Sequence, residues 1–146
     1  MVRKFRRLAE LSAAEWLILF QLVALALASR IGLKLTTLPR LSGFIARCAG
    51  NTLLKRLPLL NRRYGIERLC ALADLAARVT YGSGRCLGRS LLILWLLKIR
   101  GQPAELLVGV NKEDSLLHAH AWIETEGRVI GDRPEMTSQF AILLRT

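Results

Sequence analysis

With 146 residues, 52% of them hydrophobic, the chain has room for one domain around one core, and this composition excludes a disordered protein. Its formal charge of +11, from 22 basic and 11 acidic residues, favours polyanions, anionic lipid or acidic peptides as partners. The basic residues lack interleaved aromatic side chains and a groove-reading motif, so we expect no nucleic-acid binding.

The three cysteines, Cys48, Cys70 and Cys86, are an odd and unclustered set. Such a set argues against a disulfide framework and favours reduced thiols in the cytoplasm. The pattern His118-x-His120 with one remote cysteine is weak for zinc, so we expect neither a metal nor a cofactor.

The N-terminus leaves secretion or membrane association open, because residues 1–7 are basic, 16–28 are apolar and 26–28 resemble a signal-peptidase site. Against this, Ser12 and Glu15 have the spacing of a capping box that starts a soluble helix. We predict a helix over about 12–31, buried on most sides and stopped at Gly32, with peripheral membrane contact as an open alternative.

Two further helices are predicted in the first half. One spans about 41–57 and ends at Pro58, and the other spans about 66–79 with one apolar face. Residues 1–78 therefore form a helical N-terminal part that we interpret as a packing layer within a single domain, 1–146.

The second part, 79–146, differs from the first because it contains predicted strands as well as a helix. The turn 81–84 precedes a predicted helix over 85–99, which Gly101 and Pro103 close. Strands follow at 105–111, 116–124 and 128–132, with a polar turn at 112–115. A helical half followed by a small antiparallel sheet predicts an α+β fold.

Cys86 is the candidate nucleophile because it falls in the first turn of its helix, where free amides and the helix dipole favour a thiolate. Arg85 and Arg89 are expected to act in the same direction. Cys48 and Cys70 lie in apolar helical stretches and are interpreted as core residues.

A thiolate nucleophile needs an imidazole base, and His118 and His120 point to one face of their strand. A three-residue loop, 125–127, would place Asp132 opposite His120 and leave His118 without a carboxylate. With a two-residue loop Asp132 would point to the other face, so this assignment depends on the loop length.

The predicted triad is therefore Cys86 as nucleophile, His120 as base and Asp132 as the residue that orients the histidine. The amide of Cys86 is the expected first oxyanion donor, with Ser83 or Gly84 as the second. The candidates for substrate contact are His118, Trp122 and Arg89.

Five segments together resemble one known family. They are Cys86-Leu87-Gly88-Arg89-Ser90-Leu91, Leu96-Leu97 with Gly101, Val108-Gly109-Val110, Ala119-His120-Ala121-Trp122-Ile123-Glu124, and 127–132. The chain resembles the transglutaminase-like cysteine peptidases of lasso-peptide biosynthesis, of the standalone leader-peptidase type. The match covers about residues 79–132, departs modestly at Gly88 and His118, and extends more loosely to the Leu-Ser-x-x-Glu start of the helical half.

This resemblance implies a transglutaminase/papain-like core and an active site of Cys86, His120 and Asp132. It implies hydrolysis of the bond between leader and core of a ribosomally made precursor peptide. It further implies two partners, a small leader-binding companion protein and an ATP-dependent lasso cyclase. Two alternatives stay open, namely an acyl transferase on the same scaffold and a non-enzymatic, membrane-associated scaffold protein.

Overall fold

The structure is a computed structural model that describes residues 11–50, 64–113 and 116–146. In chain order its elements are α1 (Ala13–Leu35), α2 (Leu38–Ala49), α3 (Ile66–Tyr81), a 3-10 turn (Gly82–Gly84), α4 (Arg85–Ile99), β1 (Glu105–Glu113), β2 (Leu116–Thr125), β3 (Arg128–Ile130), α5 (Pro134–Thr137) and β4 (Ala141–Arg145).

The four strands form one antiparallel sheet in the order β3-β2-β1-β4. The predicted α+β class is confirmed, since the described residues of the first half are mainly helical and the sheet lies in the second. Strand β4, which pairs with β1 on the side away from β2, was not predicted, and neither was α5.

Helix α4 is the centre of the fold. Its bounds agree with the prediction, and every residue from position 90 to position 97 is buried. Helices α1, α2 and α3 pack against α4, and strands β1 and β2 also contact it. The helix that carries Cys86 is therefore fixed by apolar contacts to both parts of the chain.

The capping box at the start of α1 is confirmed. The Glu15 amide donates to Ser12 Oγ at 3.3 Å, and the Ser12 amide donates to Glu15 Oε2 at 2.8 Å. The predicted stop at Gly32 is wrong, because α1 continues to Leu35. A Cβ at Gly32 would lie 2.8 Å from the Leu41 side chain, so this glycine permits close packing of α1 on α2.

The prediction that α1 is buried on most sides is also wrong. One face is buried through Ile18, Leu22 and Ala26, whereas the opposite face is exposed to solvent. That outer face of α1 consists of Trp16, Leu17, Phe20, Leu27, Ile31 and Leu35.

The remaining bounds differ by a few residues. Helix α2 begins at Leu38, with Pro39 in its first turn, and ends at Ala49, while the predicted end at Pro58 lies outside the described residues. Helix α3 extends to Tyr81, two residues past its predicted end at 79. Strand β1 runs on through Glu113 into the predicted turn, whose residues 114–115 are not described.

The predicted three-residue hairpin loop is wrong. Thr125 pairs with Arg128, so the loop has two residues, Glu126 and Gly127, both with positive φ. This is the arrangement of a type I′ turn. In this register Ile130 faces Ile123, whereas the three-residue loop would have placed Ile130 opposite Trp122.

Asp132 nevertheless reaches His120, because β3 ends at Ile130 and the chain turns at Gly131 with φ +74°. The left-handed turn at Gly131 takes Asp132 out of the alternation of the strand. A Cβ at Gly131 would lie 2.7 Å from Ile93 Cδ1 and 3.1 Å from Cys70 Sγ. Gly131 therefore supplies both the backbone conformation and the space for this turn.

We expect Gly131→Ala to lower the free energy of unfolding by about 3 kcal/mol, from left-handed strain and overpacking together. The matched control is Gly127→Ala, with φ +75° and no atom within 4 Å of its Cβ position, which should cost about 1 kcal/mol of strain alone. Denaturant unfolding measures both values. Equal losses in the two variants would contradict the packing role of Gly131.

Candidate active site

Cys86 is the second residue of α4 and is partly buried. Four residues further along the helix, Ser90 Oγ donates a hydrogen bond of 2.8 Å to the backbone carbonyl of Ala121 in β2. This buried bond joins the helix of the thiol directly to the strand that carries His120. Cys86 and His120 therefore lie on two elements, α4 and β2, that are about thirty residues apart in the chain and are joined by this bond.

His120 lies on β2 opposite Gly109 of β1. Its Nε2 is 2.6 Å from Asp132 Oδ2, and the same ring interacts with the Cys86 thiol closely enough to lower the pKa of that thiol. Because Nε2 faces Asp132, Nδ1 is the nitrogen left for Cys86. One imidazole thus connects the thiol to the carboxylate, as a nucleophile, base and orienting residue require.

Asp132 is held by three donors. Its Oδ2 accepts from His120 at 2.6 Å and from Arg89 Nη2 at 2.5 Å, while Oδ1 accepts from the Arg133 amide at 2.9 Å. The side chains of His120, Asp132 and Arg89 are 16%, 9% and 19% exposed, so solvent screens these contacts only weakly. The carboxylate therefore has a fixed orientation beyond the end of β3.

The electrostatics of the site favour a thiolate and an imidazolium. The hydrogen bonds to Asp132 and then to Cys86 raise the pKa of His120 to about 9, against the effect of burial. The hydrogen bond from His120 lowers the pKa of Cys86 despite burial, and the amides of Leu87 and Ala121 act in the same direction. Arg89, which was predicted to activate the thiol, is directed to Asp132 instead.

Burial alone would raise the pKa of Asp132, but the opposite is found. Hydrogen bonds from His120 and the Arg133 amide, with the charge of Arg89, outweigh burial and bring this pKa to about 2. Asp132 is therefore ionised at every pH at which the protein would normally act.

These shifts predict the pH dependence of alkylation of Cys86 by iodoacetamide. The rate should stay high well below pH 8.5, the ordinary pKa of a thiol, and fall only as pH drops through the lowered pKa of Cys86. Peptide-level mass spectrometry measures the rate, with Cys48 as the internal reference. A single rise centred near pH 8.5 for Cys86 would contradict a thiolate and imidazolium pair.

Two aromatic side chains support the His120 ring. Trp122 stacks on it with centroids 6.1 Å apart, and Phe140 lies at 5.3 Å with its ring tilted by 35°. A Cβ at Gly109 would lie 2.9 Å from atoms of both Trp122 and Phe140, so only glycine leaves room for this packing. Phe140 was not identified from the sequence, where it is a lone aromatic residue before an unrecognised strand.

The residues predicted to contact substrate differ in their exposure to solvent. Trp122 is 2% exposed and donates through Nε1 to Glu124 Oε1 at 3.0 Å, so its surroundings are those of a buried support. His118 is exposed on β2 opposite Asn111. Substrate contact by His118, Trp122 and Arg89 stays a prediction.

Ser83 and Gly84 lie in the exposed 3-10 turn directly before α4. This places their backbone next to the start of the helix that bears Cys86. The Cys86 amide, with Ser83 or Gly84, therefore stays the predicted set of oxyanion donors.

The arrangement can carry out acyl transfer to sulfur. A thiolate next to an imidazolium can attack a carbonyl, and the imidazolium can then protonate the leaving group. The ionised Asp132 stabilises the protonated ring throughout.

The family of the chain is established by comparison with known proteins. A family model described as the transglutaminase-like superfamily matches residues 25–145, which include the thiol, the imidazole, the carboxylate and nearly all of the described elements. No curated protein and no solved structure matches the chain. Since the match extends over most of its length, this chain belongs to the transglutaminase-like superfamily.

Proposed function

We propose that this protein is a cytoplasmic cysteine peptidase that hydrolyses the leader–core bond of a ribosomally synthesised lasso-peptide precursor. The observation that carries the proposal is the His120 ring, which is 2.6 Å from Asp132 and interacts with the thiol of Cys86. The superfamily includes cysteine peptidases and acyl transferases. The choice of a leader peptidase rests on the resemblance of residues 79–132 to the lasso-peptide enzymes.

In the first half-reaction the Cys86 thiolate attacks the scissile carbonyl, and the oxyanion that forms is stabilised by backbone amides near the start of α4. The His120 imidazolium donates its proton to the departing amine as the carbon–nitrogen bond breaks. The leader remains on Cys86 as a thioester, and the core leaves with a free amine.

In the second half-reaction neutral His120 accepts a proton from water as the water oxygen attacks the thioester. The carbon–sulfur bond breaks, the leader leaves as a carboxylic acid and the thiolate and imidazolium are restored. Asp132 holds the ring through both steps. A companion protein that binds the leader and an ATP-dependent cyclase that uses the free amine complete the proposed pathway.

The main competing function is acyl transfer to an amine, because a thioester on Cys86 can react with an amine in place of water. The experiment incubates the protein with a precursor and its leader-binding companion, with added amine and without the cyclase. We expect mass spectrometry to find the leader carrying one added water and the core with a free amine. A leader that retains the added amine would instead identify a transferase.

A further inference from the structure

The positive charge is concentrated in the N-terminal part of the chain. Residues 1–63 contain twelve basic and two acidic residues, whereas residues 64–146 contain ten basic and nine acidic. Nearly all of the excess charge therefore lies outside the part that carries the active site.

The same part of the chain exposes apolar surface. On the outer face of α1, Phe20 is 72%, Ile31 is 58% and Trp16 is 50% exposed. On the outer side of α2, Phe44 is 52% exposed between the exposed Arg40 and Arg47. Contiguous exposed apolar side chains together with basic residues are typical of helices that lie on a lipid surface.

Carboxylates that would repel an anionic surface are almost absent from this region. Between residues 11 and 50 the sole acidic residue is Glu15, which is 8% exposed and lies 2.7 Å from Arg68 Nε. Lys34, near the C-terminal end of α1, is exposed. The charge next to the apolar face is thus complementary to phosphate headgroups.

Helix α1 is long and apolar enough to cross a bilayer by length and composition alone, but its inner face is already occupied. Ser29 Oγ accepts from Trp95 Nε1 at 3.2 Å, Arg30 donates to the Thr80 carbonyl, and Glu15 pairs with Arg68. Crossing a membrane would break these contacts and bring Glu15 and Arg30 into lipid. An orientation parallel to the surface keeps all of them.

We propose that the outer face of α1 binds the surface of an anionic lipid membrane, with the helix parallel to the membrane plane. The inner face of α1 stays packed on α3 and α4. Membrane binding therefore leaves the contact between Cys86 and His120 unchanged. This proposal does not depend on the reaction that the protein catalyses.

The test is flotation of the full chain with phosphatidylcholine vesicles that contain or lack phosphatidylglycerol. We expect flotation with the anionic vesicles, weakened by high salt and much reduced with neutral ones. Trp16 adds a local signal, because the other two tryptophans, Trp95 and Trp122, are buried, so a blue shift of emission on binding would report Trp16.

Leu17→Gln/Phe20→Gln should lower vesicle partitioning on the order of tenfold or more, since two exposed apolar side chains are lost. The matched control is Leu116→Gln/Leu143→Gln, at positions 65% and 68% exposed on the sheet, and it should float like the unmodified protein. Absence of flotation with anionic vesicles, or equal losses in both variants, overturns the proposal. A dimer in solution that only Leu17→Gln/Phe20→Gln dissociates would also overturn it, by assigning the face to self-association.

Discussion

Replacing Cys86 with alanine is expected to reduce precursor cleavage by about 10⁴-fold or more, to the background rate. The reason is that no other described thiol contacts an imidazole: Cys70 is buried against the turn at Gly131, with its pKa raised by burial to about 11. Cleavage assays with product mass spectrometry measure the effect.

Cys48→Ala is the control, because Cys48 is partly buried on α2, a helix that carries none of the three triad residues, and this variant should keep full activity. Thermal unfolding of Cys86→Ala should stay close to that of the unmodified protein, since a half-buried thiol contributes little packing. Full cleavage by a folded Cys86→Ala variant would reject the proposed nucleophile and with it the peptidase.

The second large effect is expected for Asp132. Asp132→Ala removes the partner of the His120 ring and leaves Arg89 partly buried without a carboxylate, so kcat/KM should fall on the order of 10³-fold. The kcat/KM of Asp132→Asn should fall less, because the amide oxygen of the asparagine can still accept a hydrogen bond from the ring although the negative charge is lost. Steady-state kinetics for both variants test this order, and equal activity of all three proteins would contradict it.

Unfolding as a function of pH gives a second readout for Asp132→Asn. The lowered pKa of Asp132 contributes stability that is present above its ordinary value of 3.8 and is lost as pH falls towards about 2. The raised pKa of His120 contributes stability that is present below its ordinary value of 6.5 and is lost as pH rises through about 9. The stability difference between the unmodified protein and Asp132→Asn should therefore be largest between about pH 4 and 6.5.

Several features could be predicted because local chemistry determines them. The capping box of Ser12 and Glu15 depends on four consecutive residues, and the bounds of α4 follow from the glycines before it and the glycine and proline after it. Residue types also identified Cys86, His120 and Asp132 as a set that the structure brings together. These inferences needed no knowledge of distant contacts.

The contact between Asp132 and His120 was predicted from an incorrect strand register. The sequence Thr-Glu-Gly fits loops of two or three residues, and the choice of three gave the correct partner through an incorrect register. The contact is restored by the positive φ of Gly131, which depends on how the turn packs against Ile93. Neither the alternation of side chains along a strand nor the loop length predicts this backbone conformation.

The exposed face of α1 and strand β4 could not be recognised for a related reason. Helix α1 is apolar on all sides, so no periodic pattern separates its buried face from its outer face. Strand β4 has a short run of Ala, Ile and Leu without alternation, and its pairing with β1 is a contact between distant residues. Only tertiary contacts determine which face of α1 is exposed and where β4 pairs.

The short length of β3 affects which properties of this protein a substitution can change. Asp132 lies outside the hydrogen-bonded ladder and is held by side chains and one backbone amide, so a substitution that releases this carboxylate need not disturb the pairing of the sheet. The position of this carboxylate and the pairing of the sheet then depend mainly on different residues. Substitutions at Arg89 can adjust the first, and substitutions in the apolar core can adjust the second.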